Sequence, residues 1–203
     1  MADRIRVLVV EDQDLLRDAL VAALEIESDI QVVAAHADLA GARAGLDAGG
    51  EPIDVAIVDF RLPDGNGTDL ATGGRRLLIT GTNEEIAVRA ALEAGFEGFV
   101  AKGSGLGELA QAVRVVHAGG AIFPAGLLPA LSAVDTPDEP LTDREMDVLA
   151  DLAEACSPAT IAARRHLSIH TVRNHIRSIL TKLGAHSQLE AVVIAARSGL
   201  VDL

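Results

Sequence analysis

The chain has 203 residues, a formal net charge of −13, one cysteine and 49% hydrophobic residues. That length suits one large domain or two small ones, with ample apolar content for a core. With no Tyr or Trp and only four Phe, the core must be aliphatic. A lone Cys156 excludes an internal disulfide and a cysteine metal cluster, and this usage fits a reducing cytosol. The N-terminal "MADRIRVLVVEDQD" lacks the cleavage pattern of a signal peptide, and no apolar run approaches the length of a membrane span. A cytoplasmic protein with no membrane partner is expected.

In residues 1–121, short apolar runs alternate with helical patterns. The strand-like runs are "IRVLVV" (5–10), "IQVVAA" (30–35), "VAIV" (55–58), "RLLIT" (76–80) and "GFVA" (98–101). Between the first two, Leu15, Leu16, Ala19, Leu20, Ala23 and Leu24 form a helical stripe. "ADLAGARAGLDAGG", "NEEIAVRAALEAG" and "GLGELAQAVRVVHAGG" read as further helices, each closed by glycine. This alternation predicts an α/β fold, a doubly wound five-stranded parallel sheet. The stretch "TDLATGGRR" before the fourth strand leaves room for only one or two turns of a third helix.

From Ile122 the rhythm changes. Residues 122–139, "IFPAGLLPALSAVDTPDE", read as a linker with a short helix at Leu127 to Ser132. Residues 140–203 are predicted to be all helical. Thr142 to Glu145 forms a capping box, Ser157 and Pro158 open the next helix, and Ser168 caps a helix from Ile169 to Leu183. Ser187 and Glu190 make a second capping box for a last helix stopping at Gly199. Two helices joined by "HLS" have the spacing of a helix-turn-helix.

Residues just past the strand ends of a parallel sheet converge on one crevice. Glu11 and Asp12 follow the first strand, Asp59 the third, Thr80 ends the fourth and Lys102 the fifth. Each alone would read as a surface charge; all at one edge by accident is improbable. Three carboxylates in one crevice repel one another unless a hard divalent cation offsets them, and few oxygen ligands with open water positions suit Mg²⁺. Lys102 can pair with a carboxylate or hold a phosphoryl oxygen, and Thr80 offers a hydroxyl. Together these are the groups needed to carry a phosphoryl group on Asp59.

A second charge pattern lies downstream. Between Ala155 and Leu189 there is no Asp or Glu, while Arg164, Arg165, Arg173, Arg177 and Lys182 all fall there with His166, His170 and His175. A basic island in an acidic chain predicts an anion-binding module.

"VVEDQ", "IVDFRLPDGNG", "LLITG" and "GFVAKGS" resemble the response-regulator receiver domain of two-component signalling, a flavodoxin-like fold. "LTDREMDVLADLA" and "LSIHTVRNHIRSILTKLG" resemble the LuxR-type helix-turn-helix of the NarL and FixJ branch. The resemblance implies that Asp59 accepts a phosphoryl group from the histidine of a sensor histidine kinase. It implies that Glu11, Asp12, Asp59 and the Arg61 backbone carbonyl hold Mg²⁺. Thr80 and Phe99 would form a switch pair with Lys102 on the phosphoryl oxygens, the Phe99 ring turning inward as Thr80 moves. The product would be a phosphorylation-gated transcriptional regulator, not an enzyme; the position two residues beyond Asp59 is Arg61, where an aspartyl-phosphate hydrolase needs an acid. The alternative is a phosphorylation-independent regulator whose receiver serves dimerisation or ligand sensing. Base contacts to double-stranded promoter DNA are expected from Arg173, Asn174 and Arg177, which share one helix face. Phosphate contacts are expected from His170, Thr171, His175 and Lys182. A homodimer on DNA would draw on Leu189, Val192, Val193 and Ala196 of the last helix. Arg165, where relatives carry an apolar residue, is expected to bury its stem and keep its head wet.

Overall fold

The computed structural model describes residues 4–81, 85–122 and 140–201. In chain order the strands are β1 (Ile5–Val10), β2 (Ile30–His36), β3 (Val55–Asp59), β4 (Arg61–Leu62), β5 (Gly65–Asn66), β6 (Arg75–Thr80) and β7 (Gly98–Ala101). Five of them form a parallel sheet, as the alternating pattern predicts, and its order is β2-β1-β3-β6-β7. β3 is buried along its whole length because helices cover both faces of the sheet. Asp59 is its last residue and not the first of a loop.

Period-two alternation sorts the side chains of β1 between two cores. Val7 and Val9 meet Leu20 and Leu24 of α1 (Asp14–Glu25) and Val113 and Val116 of α4 (Leu106–His117). Leu8 and Val10 face the other way, toward Leu39 and Ala42 of α2 (Leu39–Asp47) and Ala87 and Ala91 of α3 (Glu85–Glu93).

The segment after β3 departs from expectation. No α-helix lies between β3 and β6; a two-residue antiparallel hairpin, β4 with β5, runs into a 3₁₀ turn at Gly67–Asp69. The glycines explain why one or two helical turns do not form. At Gly74 a β-carbon would sit 2.5 Å from the Ile53 carbonyl oxygen, so this stretch is held against the neighbouring backbone. Leu70 supplies the one fully buried side chain of the turn and fills the core on that face.

The short helix expected at Leu127 to Ser132 lies outside the described residues. Beyond it, α5 (Asp143–Ala153), α6 (Pro158–Arg165), α7 (Ile169–Leu183) and α8 (Gln188–Arg197) enclose an aliphatic core built on Leu149, Leu152, Ile161, Val172, Ile176 and Ile179. The Thr142–Glu145 capping box closes in both directions. Ser157 and Ser168 accept from the third residue of α6 and α7, as their positions predict. The box expected at α8 is only half made. Ser187 accepts from the Glu190 amide, but the Glu190 carboxylate reaches back to the His186 amide and imidazole instead of closing on Ser187.

The two halves touch. Leu189 and Val193 of α8 belong to the same apolar cluster as Leu92 and Phe96, at the C-terminal end of α3. A β-carbon at Gly120 would lie 3.2 Å from the Ala155 carbonyl oxygen, and one at Gly119 would lie 3.4 Å from Pro158.

Candidate functional site

β1 and β3 are neighbours, with Val10 opposite Val58, so the residues that follow them emerge side by side. Here the direction of chain connection reverses, the place where open α/β sheets build their sites. Glu11 is wholly buried and Asp59 is 4% exposed, while Asp12 is open to solvent. Lys102, one residue past β7, brings its Nζ 2.9 Å from Asp59 Oδ2 and 3.0 Å from Glu11 Oε1. Its backbone amide donates to the Thr80 carbonyl at 2.8 Å, which fixes the lysine against the end of β6. Asp12, Gln13, Asp59, Arg61, Thr80, Gly81 and Lys102 line one open cleft. The sequence-predicted acids, lysine and threonine are therefore brought together.

One ammonium serves two buried carboxylates, and that is too little. Burial pushes the Glu11 carboxyl above its usual range; Lys102 pulls it down and the Asp59 charge pushes it further up. Burial likewise raises Asp59 against the pull of Lys102 and the Arg61 amide. For Lys102, burial favours the neutral amine, but the hydrogen bonds to Asp59 and Glu11 outweigh it and the ammonium is held more firmly than usual.

Glu11 Oε2 is buried and accepts no aligned hydrogen bond, and lies 2.9 Å from the Lys102 ammonium as an ion pair. Glu11, Asp12 and Asp59 each offer an oxygen within 4.8 Å of the others. A hard cation with oxygen ligands fits this set and would offset the carboxylate charge that one ammonium leaves.

Two features of the cleft escaped the sequence. Gly67 packs so closely that a β-carbon there would fall 2.0 Å from the Asp59 carbonyl oxygen. Only glycine lets the hairpin return across the acid. Asp64 caps α2, accepting from the amides of Leu39 at 2.9 Å and Ala40 at 2.8 Å, and thereby ties the loop after Asp59 to a helix. The turn signal "PDGNG" pointed to both positions without saying what they touch. The Phe99 ring lies in the core, 2% exposed, so this structure holds it in the inward position.

In the C-terminal half α7 follows the tight turn after α6, with His166 in the left-handed region at φ 54°. Val172, Ile176 and Ile179 face the core, leaving Arg173, Asn174 and Arg177 exposed together. His170 is also exposed and accepts or donates a 3.3 Å hydrogen bond with Asn174; Thr171 and His175 are half-buried. Lys182 turns the other way. Its ammonium pairs with Glu145 at 2.9 Å and reaches the Pro140 carbonyl, so it is held inside the domain and not offered to a phosphate.

The basic island is thus largely neutralised from α5. Arg164 pairs with Asp151 and Glu154, and Arg165 with Asp151 and Asp147. Arg165 does more than keep its head wet: Asp151, 2% exposed, receives its Nε at 2.6 Å. Arg173 and Arg177 make no ion pair among the described residues. Of the dimerisation residues, Val192 packs in the helical domain, Leu189 and Val193 pack against the receiver half, and Ala196 is half-buried. That face is already occupied within one chain.

An acid-lined cleft on a doubly wound sheet, followed by a helix-turn-helix with an open polar face, defines a two-domain signal-responsive regulator. Family models agree with it part by part: a response regulator receiver domain matches residues 7–114, and the luxR family of bacterial regulatory proteins matches residues 139–195. The chain belongs to the response regulators that carry a LuxR-type DNA-binding domain. It is 34% identical to the DNA-binding transcriptional activator DevR/DosR of Mycobacterium tuberculosis, over 94% of each chain. It is 30% identical to the response regulator VraR of Staphylococcus aureus, over 98% of this chain and 99% of that one. Among solved structures it resembles the response regulator ChrA of a heme-sensing two-component system, with a TM-score of 0.52 and 29% identity over 97% and 98% of the chains. No described helix is long and apolar enough to cross a membrane.

Proposed function

We propose that this chain is a cytoplasmic transcriptional regulator switched by phosphorylation of Asp59, with a receiver at 1–121, a linker at 122–139 and a DNA-binding domain at 140–203. The observation that carries the reading is the Lys102 ammonium shared between the buried carboxylates of Asp59 and Glu11, with Asp12 beside them. A carboxylate oxygen of Asp59 attacks phosphorus of a kinase phosphohistidine. The P–N bond breaks as the O–P bond forms, and the imidazole leaves. Lys102 and the Thr80 hydroxyl are the groups of this chain that hold the phosphoryl oxygens. Glu11, Asp12, Asp59 and the Arg61 carbonyl would hold Mg²⁺, which when bound supplies charge neutralisation to the transferring group. Convergence of all these groups favours this reading over a receiver kept only for dimerisation or ligand sensing.

On the output side, Arg173, Asn174 and Arg177 are the base-reading residues, with His170, Thr171 and His175 on the phosphates of double-stranded promoter DNA. A homodimer would present two such helices to a dyad-related site. Since α8 faces the receiver in this arrangement, pairing through Leu189 and Val193 requires the two domains to separate first.

Incubation of the full chain with acetyl phosphate and Mg²⁺ should add one phosphoryl group, read by intact mass. Asp59→Asn should add none. Equal labelling of the variant would remove Asp59 from the mechanism.

A further inference from the structure

Among the described residues the exposed large aliphatic side chains are Leu15, Ile26, Ile86 and Ile169, and Ile169 is the one that lies in the C-terminal domain. It is the first residue of α7 and is 42% exposed. Leu167 just before it and Leu180 further along pack against the domain core, whereas Ile169 does not belong to that cluster or to its fringe. The turn that carries it is held in place. The Ser168 hydroxyl accepts from the Thr171 amide at 3.0 Å and meets the Thr171 hydroxyl at 2.8 Å, which locks the first turn of the helix.

Ile169, Arg173 and Arg177 follow one another at spacings of four, so they form one continuous row along α7. Both arginines are exposed and lack ion-pair partners among the described residues. A bare aliphatic group heading a row of unpaired guanidinium groups gains nothing in water. It gains where the same row meets a surface that offers acceptors for the arginines and an apolar knob beside them. The major groove offers both. Guanine presents O6 and N7 to an arginine, and thymine presents the C5-methyl, the one apolar feature of the base edges. The N-terminal turn of a recognition helix is also the part that enters the groove deepest.

We infer that Ile169 is a specificity-determining residue that recognises the methyl group of a thymine adjacent to the base pair read by Arg173. The inference rests on the DNA-binding reading of α7 and adds to it the class of base feature and the residue that senses it. It assigns to Ile169 an apolar contact, which neither salt nor phosphate charge would supply.

The test begins with sites selected by the full chain from a random duplex pool, with and without acetyl phosphate. Each thymine of the selected half-site is then replaced by deoxyuridine, which removes the methyl group and keeps the pairing. Wild type should lose about fourfold in affinity at one thymine, the value of one apolar carbon removed from contact. Ile169→Ala should bind the thymine and deoxyuridine sites equally, with its helical circular dichroism unchanged, and Ile169→Val should keep part of the difference. Indifference of wild type to every replacement would overturn the assignment, as would a variant that still discriminates. Arg173→Ala serves as the separate arm: if wild type enriches sites and Arg173→Ala weakens them while deoxyuridine has no effect, the DNA reading stands and Ile169 falls. A chain that enriches no sequence would take both down.

Discussion

Glu11 and Asp59 in the receiver, and Glu145 and Asp151 in the helical domain, are all acids of 5% exposure or less, yet they hold their protons in opposite ways. In the cleft, burial wins and both carboxyls are pushed up. In the helical domain, burial is outweighed. Glu145 accepts from Ser178 at 2.6 Å, from the Thr142 amide at 2.7 Å and from Lys182 at 2.9 Å, and its carboxyl falls to about 2. Asp151 sits between Arg164 and Arg165 and is also lowered. Burial of an acid therefore does not mark function by itself. What separates the two regions is how fully the burial is compensated, and the pair that shares one ammonium keeps carboxylate charge that a cation would offset.

The sharpest way to break this comparison is to remove a compensated acid. Asp151→Ala leaves Arg165 with Asp147 alone and Arg164 with Glu154 alone, and should cost about 1–3 kcal/mol, reduced from the fully buried case because those partners remain and the guanidinium groups keep some water. Urea unfolding followed by circular dichroism would measure it. The double change Asp151→Leu with Arg165→Leu should recover most of the loss, since apolar side chains can replace a buried ion pair. A single-variant cost under about 0.5 kcal/mol would place the pair with ordinary surface ion pairs.

Acid sensitivity gives the next largest effect. The Glu145 carboxyl is depressed from 4.5 to about 2 in the folded state. Its contribution is complete above the unfolded value and is lost as pH falls from about 4.5 toward 2. Amide exchange in α7 should report roughly 2–3 kcal/mol lost across that window, and Glu145→Gln should flatten the dependence. An unaltered slope in the variant would assign the acid sensitivity elsewhere.

The smallest effect belongs to the cleft. Millimolar Mg²⁺ should protect β3 amides by about 1 kcal/mol, as mass action predicts for a weak site, and leave α7 amides alone. Asp12→Asn should abolish the protection. Equal protection of both regions would mean that the ion acts on the whole chain by screening.

The parts legible beforehand were those with local signals. Buried runs such as Val55 to Val58, glycine stops and serine caps marked the elements, and strand-end logic gathered Glu11, Asp12, Asp59, Thr80 and Lys102. What escaped depends on partners distant in the chain. Lys182 reads as a basic side chain on a basic helix until Glu145 is found beside it, and Arg165 looks misplaced until Asp151 appears on α5. The loss of the helix between β3 and β6 was visible only as a shortening. That it goes to a hairpin and a 3₁₀ turn depends on how Gly67 and Gly74 press against neighbouring backbone. Periodicity showed that α8 has apolar faces, but not that one of them would lie on α3.

That docking has a consequence for how the response scales with the amount of protein. Leu189 and Val193 can cover one partner at a time, and within a single chain the partner is α3 with Phe96. This contact is unimolecular, so dilution does not weaken it and synthesis of more protein does not strengthen it. The proposed pairing between chains through the same face would rise with concentration. On the proposed pairing, each chain carries its own competitor against self-association, and the threshold is crossed either by weakening the internal contact or by making more copies.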